Sequence, residues 1–143
     1  MHSSEHQFEI GVFVFIRNSS DEVLLVRDAT REQRWTLPGG GLNFQELLPD
    51  AACRESYEEL GVSIVVDRLA GIFSQRKRPG IVALFDAHII SGIPVPDGIE
   101  TAECAYFSLD AIMQLAEQIK PAQHSMIFQR SSASLSDIVF NFF

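Results

Sequence analysis

Residues 46–60 (ELLPDAACRESYEEL) constrain this chain most, because they read as a helix that gathers like charges on one face. Leu48, Ala51, Ala52 and Leu60 recur at helical spacing, Pro49 fits only near the first turn, and Gly61 is a natural stop. Glu55, Glu58 and Glu59 stand three and four positions apart, so all three project from the same side. Each like-charged pair at that spacing weakens a helix by ~0.2–0.5 kcal/mol. The C-terminal half of a helix also disfavours anions, since the negative end of its dipole lies there. Stability alone therefore argues against the cluster. A divalent cation that neutralised it would resolve the conflict, and carboxylate oxygens suit Mg²⁺ or Mn²⁺, which keep positions open for water and phosphates.

The rest of the chain reads as short apolar strands and turns. Phe8 to Arg17 (FEIGVFVFIR) predicts a buried strand, and Asn18 to Asp21 predicts a turn into Glu22 to Arg27 as the second arm of a hairpin. Trp35 to Leu37 is a short extended piece ended by Pro38 and Gly39, Gly40 and Gly41. Val62 to Val66, Leu69 to Ser74, Ile81 to Ile90 and Ala105 to Ser108 read as further strands. Ser108 caps a helix expected over Leu109 to Ile119, and Pro121 opens another. Strands and helices mix without regular alternation, which predicts an α+β fold with a mixed sheet.

The 143 residues make one domain, 1–143, with a flexible end expected at 1–7. No apolar run reaches the ~18–20 residues of a membrane helix. MHSSEHQ lacks the basic-then-apolar order of a secretory signal, and two cysteines make no disulfide scaffold, so a reducing cytoplasm is expected. A net charge of −8 argues against binding long nucleic acids, whose affinity rests on phosphate neutralisation. Small phosphorylated ligands remain open. Nine of the eleven bases lie in residues 1–78, so an anion site is expected in the first half.

The spacing Gly40-x5-Glu46-x7-Arg54-Glu55-x2-Glu58-Glu59-x-Gly61 resembles the Nudix box, the signature of the Nudix hydrolase family. Leu37-Pro38-Gly39-Gly40 is similar to the usual entry to that box, and Glu100 to Leu109 is similar to the stretch before the family's C-terminal helix. The resemblance implies an α/β/α sandwich around a mixed sheet. It implies hydrolysis of a nucleoside diphosphate joined to another group, a nucleotide sugar or ADP-ribose ahead of a nucleoside triphosphate, with Mg²⁺ or Mn²⁺; the alternative is a non-catalytic nucleotide-binding sensor of the same fold. Glu55, Glu58 and Glu59 would be side-chain metal ligands and the Gly39 carbonyl a backbone ligand. Arg54 would orient a catalytic glutamate, and Glu46 would be structural. Glu58 or Glu55 would take the proton from water, with Glu100 or Glu103 as the substitute from the 97–103 loop. Ser56 and Gln45 depart from the family pattern, which usually has a bulky aliphatic residue and a glycine there.

Arg27 and Arg34, or Arg76 with Arg78, are the candidates for clamping a distal phosphate. Trp35, Phe44 and Phe73 could stack on a base, although aromatics beside strands are usually core. His88 is expected to be a buried, satisfied histidine, and Cys53 a small buried thiol. The apolar end SLSDIVFNFF is expected to dock on the core or on a second copy of the chain, which leaves a homodimer open.

Overall fold

A computed structural model describes residues 8–30, 32–74, 79–132 and 139–142. The flexible end expected at 1–7, and Arg76 and Arg78, lie outside the described residues. The elements run β1 (Glu9–Ile16), β2 (Val23–Asp28), β3 (Trp35–Thr36), β4 (Gly39–Gly41), α1 (Leu48–Leu60), β5 (Ser63–Ser74) and β6 (Gly80–Ser91). Then follow β7 (Thr101–Phe107), α2 (Leu109–Gln114), a 3₁₀ turn (Ala116–Gln118), α3 (Pro121–Ser132) and β8 (Val139–Phe142). They form a five-stranded sheet, β4-β1-β6-β5-β8, and a three-stranded sheet, β3-β2-β7. The larger sheet is mixed, with β1 parallel to β6 and β5 antiparallel to β6.

Strand alternation sends side chains into two cores. Val12, Val14 and Ile16 of β1 and Ala83, Phe85 and Ala87 of β6 meet Ala51, Ala52 and Leu60 of α1. The alanines on both partners let the helix axis come close to the sheet. On the other side Phe15, Val82, Leu84 and Phe73 meet Ile112 of α2 and Met126 and Ile127 of α3. Strand β2 feeds both cores, Leu24 and Val26 into the first and Val23 and Leu25 into the second. Each fully buried aliphatic chain of this kind contributes ~1.5–3 kcal/mol. Helices thus cover both sheet faces, the α+β sandwich expected from the sequence.

Several local expectations change. β1 and β2 are not a hairpin, because one antiparallel bridge, Arg17 to Val23, is followed by strands in different sheets. The β1 edge is taken instead by Gly39–Gly41, and Val14 N–H donates to the Pro38 carbonyl at 2.9 Å. The two strand pieces between 62 and 74 are one strand whose register shifts absorb the break. Strand β7 begins at Thr101 rather than Ala105.

The helix expected over Leu109 to Ile119 stops at Gln114, although Ser108 does cap it by accepting from the Ala111 N–H. There the chain tightens to 3₁₀ geometry, Ile119 becomes fully buried and bridges to Trp35, and Lys120 N–H donates to the Trp35 carbonyl. Burial of Ile119 outweighs one more helical turn. His88 is exposed, not buried, and its Nδ1 stands 2.9 Å from Asp67.

The apolar end docks in part through β8, which pairs parallel with Gly71–Ser74 of β5. A chain ending at Ser132 would leave that edge of β5 open. It should lose about 2 kcal/mol or more of stability, from broken ladder bonds alone, and should self-associate. Thermal unfolding and sedimentation velocity measure the two effects.

Candidate functional site

The site is built where β4 faces α1. Gly39 adopts φ 154°, and a Cβ there would lie 2.1 Å from the Val12 carbonyl oxygen. The backbone of β4 therefore lies directly against β1, which brings its outer edge over the helix. A Cβ on Gly40 would lie 2.5 Å from Glu55 Oε1. The two glycines have different reasons, one a backbone that must pass a backbone, the other a carboxylate that needs the space.

Arg54 ties the pieces together. Its Nε and Nη2 donate to the two oxygens of Glu46 at 2.8 and 2.9 Å, and Nη2 also donates to the Gly41 carbonyl at 2.8 Å. Its Nη1 donates to Glu55 at 3.0 Å and to Glu58 at 3.2 Å. The helix begins after Glu46, so that residue reaches back from the preceding turn, where it also accepts from the Asn43 N–H. The Arg54 bond, with the Asn43 N–H, holds the Glu46 carboxyl below its ordinary range. Glu46 first, and then Glu55, in turn hold the guanidinium's proton more tightly, against the effect of burial.

Glu55 and Glu59 point inward. Glu59 is only 6% exposed, and its Oε1 accepts from the Gly39 N–H at 3.0 Å. Burial pushes its carboxyl up to about 8 against that bond, and Glu55, its hydrogen-bonded neighbour, adds to the effect together with Glu100. Burial also raises Glu55, although Arg54 works the other way. Two buried carboxylates in contact resist ionising together, and Arg54 offsets this at Glu55. Glu58 is half-exposed. Among the described residues, no three acidic, histidine or cysteine side chains are gathered as a ready-made cation cage.

Glu59 and Gly39 also line a cavity of about 370 Å³ between the sheets. Its wall adds Asp28, Thr36, Glu100, Thr101, Lys120 and Gln123. Lys120 Nζ stands 3.5 Å from Asp28, and the Gln123 side chain accepts from the Leu37 N–H at 3.1 Å. Burial disfavours the Asp28 charge, but hydrogen bonds from Thr30 and the Lys120 ammonium outweigh it and hold the carboxyl low. Glu100 is brought in by a turn around Asp97, whose Oδ1 accepts from the N–H groups of Ile99, Glu100 and Thr101. Those three donors overcome the effect of burial and hold the Asp97 carboxyl below its usual range.

The substrate-binding expectations fare unevenly. Glu100 reaches the cavity. Arg27 and Glu103 face each other across β2 and β7 in a 2.6 Å ion pair, and neither lines the cavity. Arg34 does not line it either. The cation that does is Lys120, from the half of the chain where no anion site was expected. Asp28, Lys120 and Gln123 carry no local signature, since residues 92 and more apart meet only through sheet and helix packing. Trp35 and Phe73 are core and Phe44 is 93% exposed. Cys53 is half-buried, and burial with the Asp50 charge raises its thiol.

A family model described as NUDIX domain matches residues 7–129. The human diphosphoinositol polyphosphate phosphohydrolase 3-alpha is 45% identical over 65 residues, 46% of this chain and 40% of that protein. The match thus spans less than half of that relative's length. A Bacillus subtilis protein provisionally named an 8-oxo-dGTP diphosphatase is 34% identical over 98 residues, 68% of this chain and 65% of that one. A NUDIX hydrolase structure from Nitrosomonas europaea aligns with a TM-score of 0.78 at 22% identity, over 99% of this chain and 84% of that chain, a likeness of fold.

The glycine pair separates folding from site geometry. Gly39→Ala should cost about 3 kcal/mol or more through backbone strain and collision, whereas Gly40→Ala, which meets only the end of a side chain, should unfold near the native temperature. Asp97→Ala should cost about 1 kcal/mol, and Asp97→Asn less because it keeps an acceptor. Because the folded Asp97 carboxyl is lowered, its stabilisation is full above an ordinary aspartate pKa of about 4 and fades as pH falls through the folded value. The gap between the native chain and Asp97→Asn should shrink over that acid range in denaturant titrations.

Proposed function

This chain belongs to the Nudix family, and we propose that it hydrolyses phosphoric anhydride bonds in a nucleoside diphosphate joined to a further group. The observation that carries this reading is the single cavity lined both by Glu59, Glu100 and Gly39 and by Asp28, Thr36, Lys120 and Gln123. The first set suits the reacting phosphates, and the second offers the hydrogen-bonding variety that a base and sugar need. Among the described residues lining the cavity, Lys120 is the one cation beside three acids. That balance argues against a heavily phosphorylated inositol, the substrate named for the human relative, and favours a ligand with few charges. A nucleotide sugar, ADP-ribose or a nucleoside triphosphate meets that condition. Cys53 and Cys104 as free thiols accord with action in a reducing cytoplasm.

Nudix hydrolases generally use divalent metals. The donors fit such an ion, because Glu55 and Glu59 are neighbouring carboxylates whose burial disfavours their charges, and a dication would favour both charged forms. Glu58 and the Gly39 carbonyl are the further ligands we assign, with Mg²⁺ or Mn²⁺ as the ion. When bound, the ion neutralises charge on the phosphoryl oxygens and acidifies the attacking water. Arg54 fixes the Glu55 carboxylate, so that ligand is held before substrate arrives. Glu58 is the accessible carboxylate of the three, and we assign it as proton acceptor, with Glu55 next in line. Glu100 lines the same cavity, and we assign it as a further ligand or as the substitute proton acceptor. Lys120 and Gln123 orient the nucleoside.

A chromatographic panel of ADP-ribose, nucleotide sugars, normal and oxidised triphosphates and a diphosphorylated inositol phosphate tests the reading. Cleavage of a nucleotide that a chelator abolishes and Mg²⁺ or Mn²⁺ restores is the expected result. Glu58→Gln should lower kcat roughly a hundredfold or more, and Gly40→Ala should lower it while leaving the fold intact. Cleavage of the inositol compound alone would overturn the substrate class. Turnover unchanged by chelator and by Glu58→Gln would overturn the mechanism.

A further inference from the structure

We propose that the pocket around Arg130 binds a phosphate group, carried by inorganic phosphate or a small phosphomonoester, at a site separate from the Glu59 cavity. Arg130 lies on α3 and is 1% exposed. Its Nε donates to Asp86 Oδ1 at 2.9 Å and its Nη2 donates to Asp86 Oδ2. That fork leaves Nη1, which is also buried and has no hydrogen-bond partner among the described residues. A buried guanidinium nitrogen in that condition calls for an acceptor, since its hydration is lost and nothing replaces it.

Arg130 lines a pocket of about 220 Å³ with Phe15, Arg17, Arg68, Asp86 and His88. Strand register explains the gathering. Phe15, Asp86 and Arg68 form one row across β1, β6 and β5, and Arg17 and His88 lie two residues further along their strands, hence on the same face. The neighbouring residues Ile16, Phe85 and Ala87 face α1 on the opposite side. The pocket therefore sits across the sheet from the carboxylates of α1.

Its charge is unlike that of the chain. Among the described residues, Arg17, Arg68 and Arg130 meet Asp21, Asp67 and Asp86, so positive charge here balances negative in a protein of net charge −8. Asp86 serves two arginines at once, with Arg68 Nε at 3.4 Å. Asp67 stands against His88, and Arg17 pairs at 3.4 Å with Asp21, an exposed partner that yields easily. Donors from three arginines around one space match the several oxygens of a phosphate better than a flat carboxylate. The volume equals roughly seven water molecules of liquid, enough for a phosphoryl group and a few more atoms. Packing does not require the arginine, because buried ion pairs can often be replaced by apolar residues without loss.

Titration of the chelator-treated full chain, in chloride buffer, with inorganic phosphate and separately with glycerol phosphate tests this. Arginine side-chain N–H signals and thermal unfolding are followed, with potassium chloride at matched ionic strength as control. The Arg130 signal should shift and saturate at millimolar ligand, and the unfolding temperature should rise. Arg17→Gln and Arg68→Gln should each weaken binding about tenfold, whereas Lys120→Gln should leave it unchanged. Response to phosphate alone names the free ion as ligand, and response to both names the phosphomonoester class. Joint replacement Asp86→Leu with Arg130→Met removes the pair whole and should abolish the response in a folded chain. An unmoved Arg130 signal, an equal response to chloride, undiminished binding in both rim variants, or loss of binding in Lys120→Gln would overturn the proposal.

Discussion

One guanidinium holds the acidic helix to the turn that precedes it. Arg54 satisfies Glu46 with a fork, the Gly41 carbonyl with a further bond, and Glu55 and Glu58 with its remaining nitrogen. Without it, three carboxylates and a glycine strand would have no common partner. The arrangement also decides which acids stay compensated. Glu46 and Glu58 lie on the guanidinium side, whereas Glu59 looks into the cavity, where its Oε1 accepts from the Gly39 N–H. The charge that remains uncompensated is thus confined to the wall where a cation is useful.

The two faces of the large sheet divide the work. On one, small alanines let α1 settle close, so its acids reach β4. On the other, α3 carries Gln123 towards the Glu59 cavity and, seven residues later, Arg130 towards the phosphate pocket. Seven residues of helix span ~10 Å. A ligand that fixed Arg130 would therefore stiffen the same helix that holds Leu37, just before the glycine turn, through Gln123. Stability and site geometry meet in that helix.

Much of the site was legible because it is local. Pro49, the apolar spacing and Gly61 mark the ends of α1, and the interval from Glu55 to Glu59 places acids on adjacent turns regardless of what surrounds them. The apolar runs of β1, β2 and β6 are legible for the same reason, since burial on both faces leaves an unbroken hydrophobic stretch. Pairing is different. Nothing in Asn18 to Asp21 says that β4 will take the edge of β1, or that β2 will turn to a second sheet. The 3₁₀ stretch after Gln114 likewise exists because Ile119 has a place against Trp35, a partner 84 positions away.

Residue chemistry and spacing by themselves determined the carboxylate cluster, its arginine and the glycines beside it, because a helix and a tight turn convert local spacing into geometry. Tertiary structure alone decided which charges face a cavity and which cancel. Arg27 is neutralised by Glu103, Lys120 comes from the far half of the chain to stand by Asp28, and Arg130 is buried with one nitrogen unpaired among the described residues. Those outcomes rest on strand register and on which helix covers which sheet face, relations between segments that lie far apart along the chain and that no local pattern encodes.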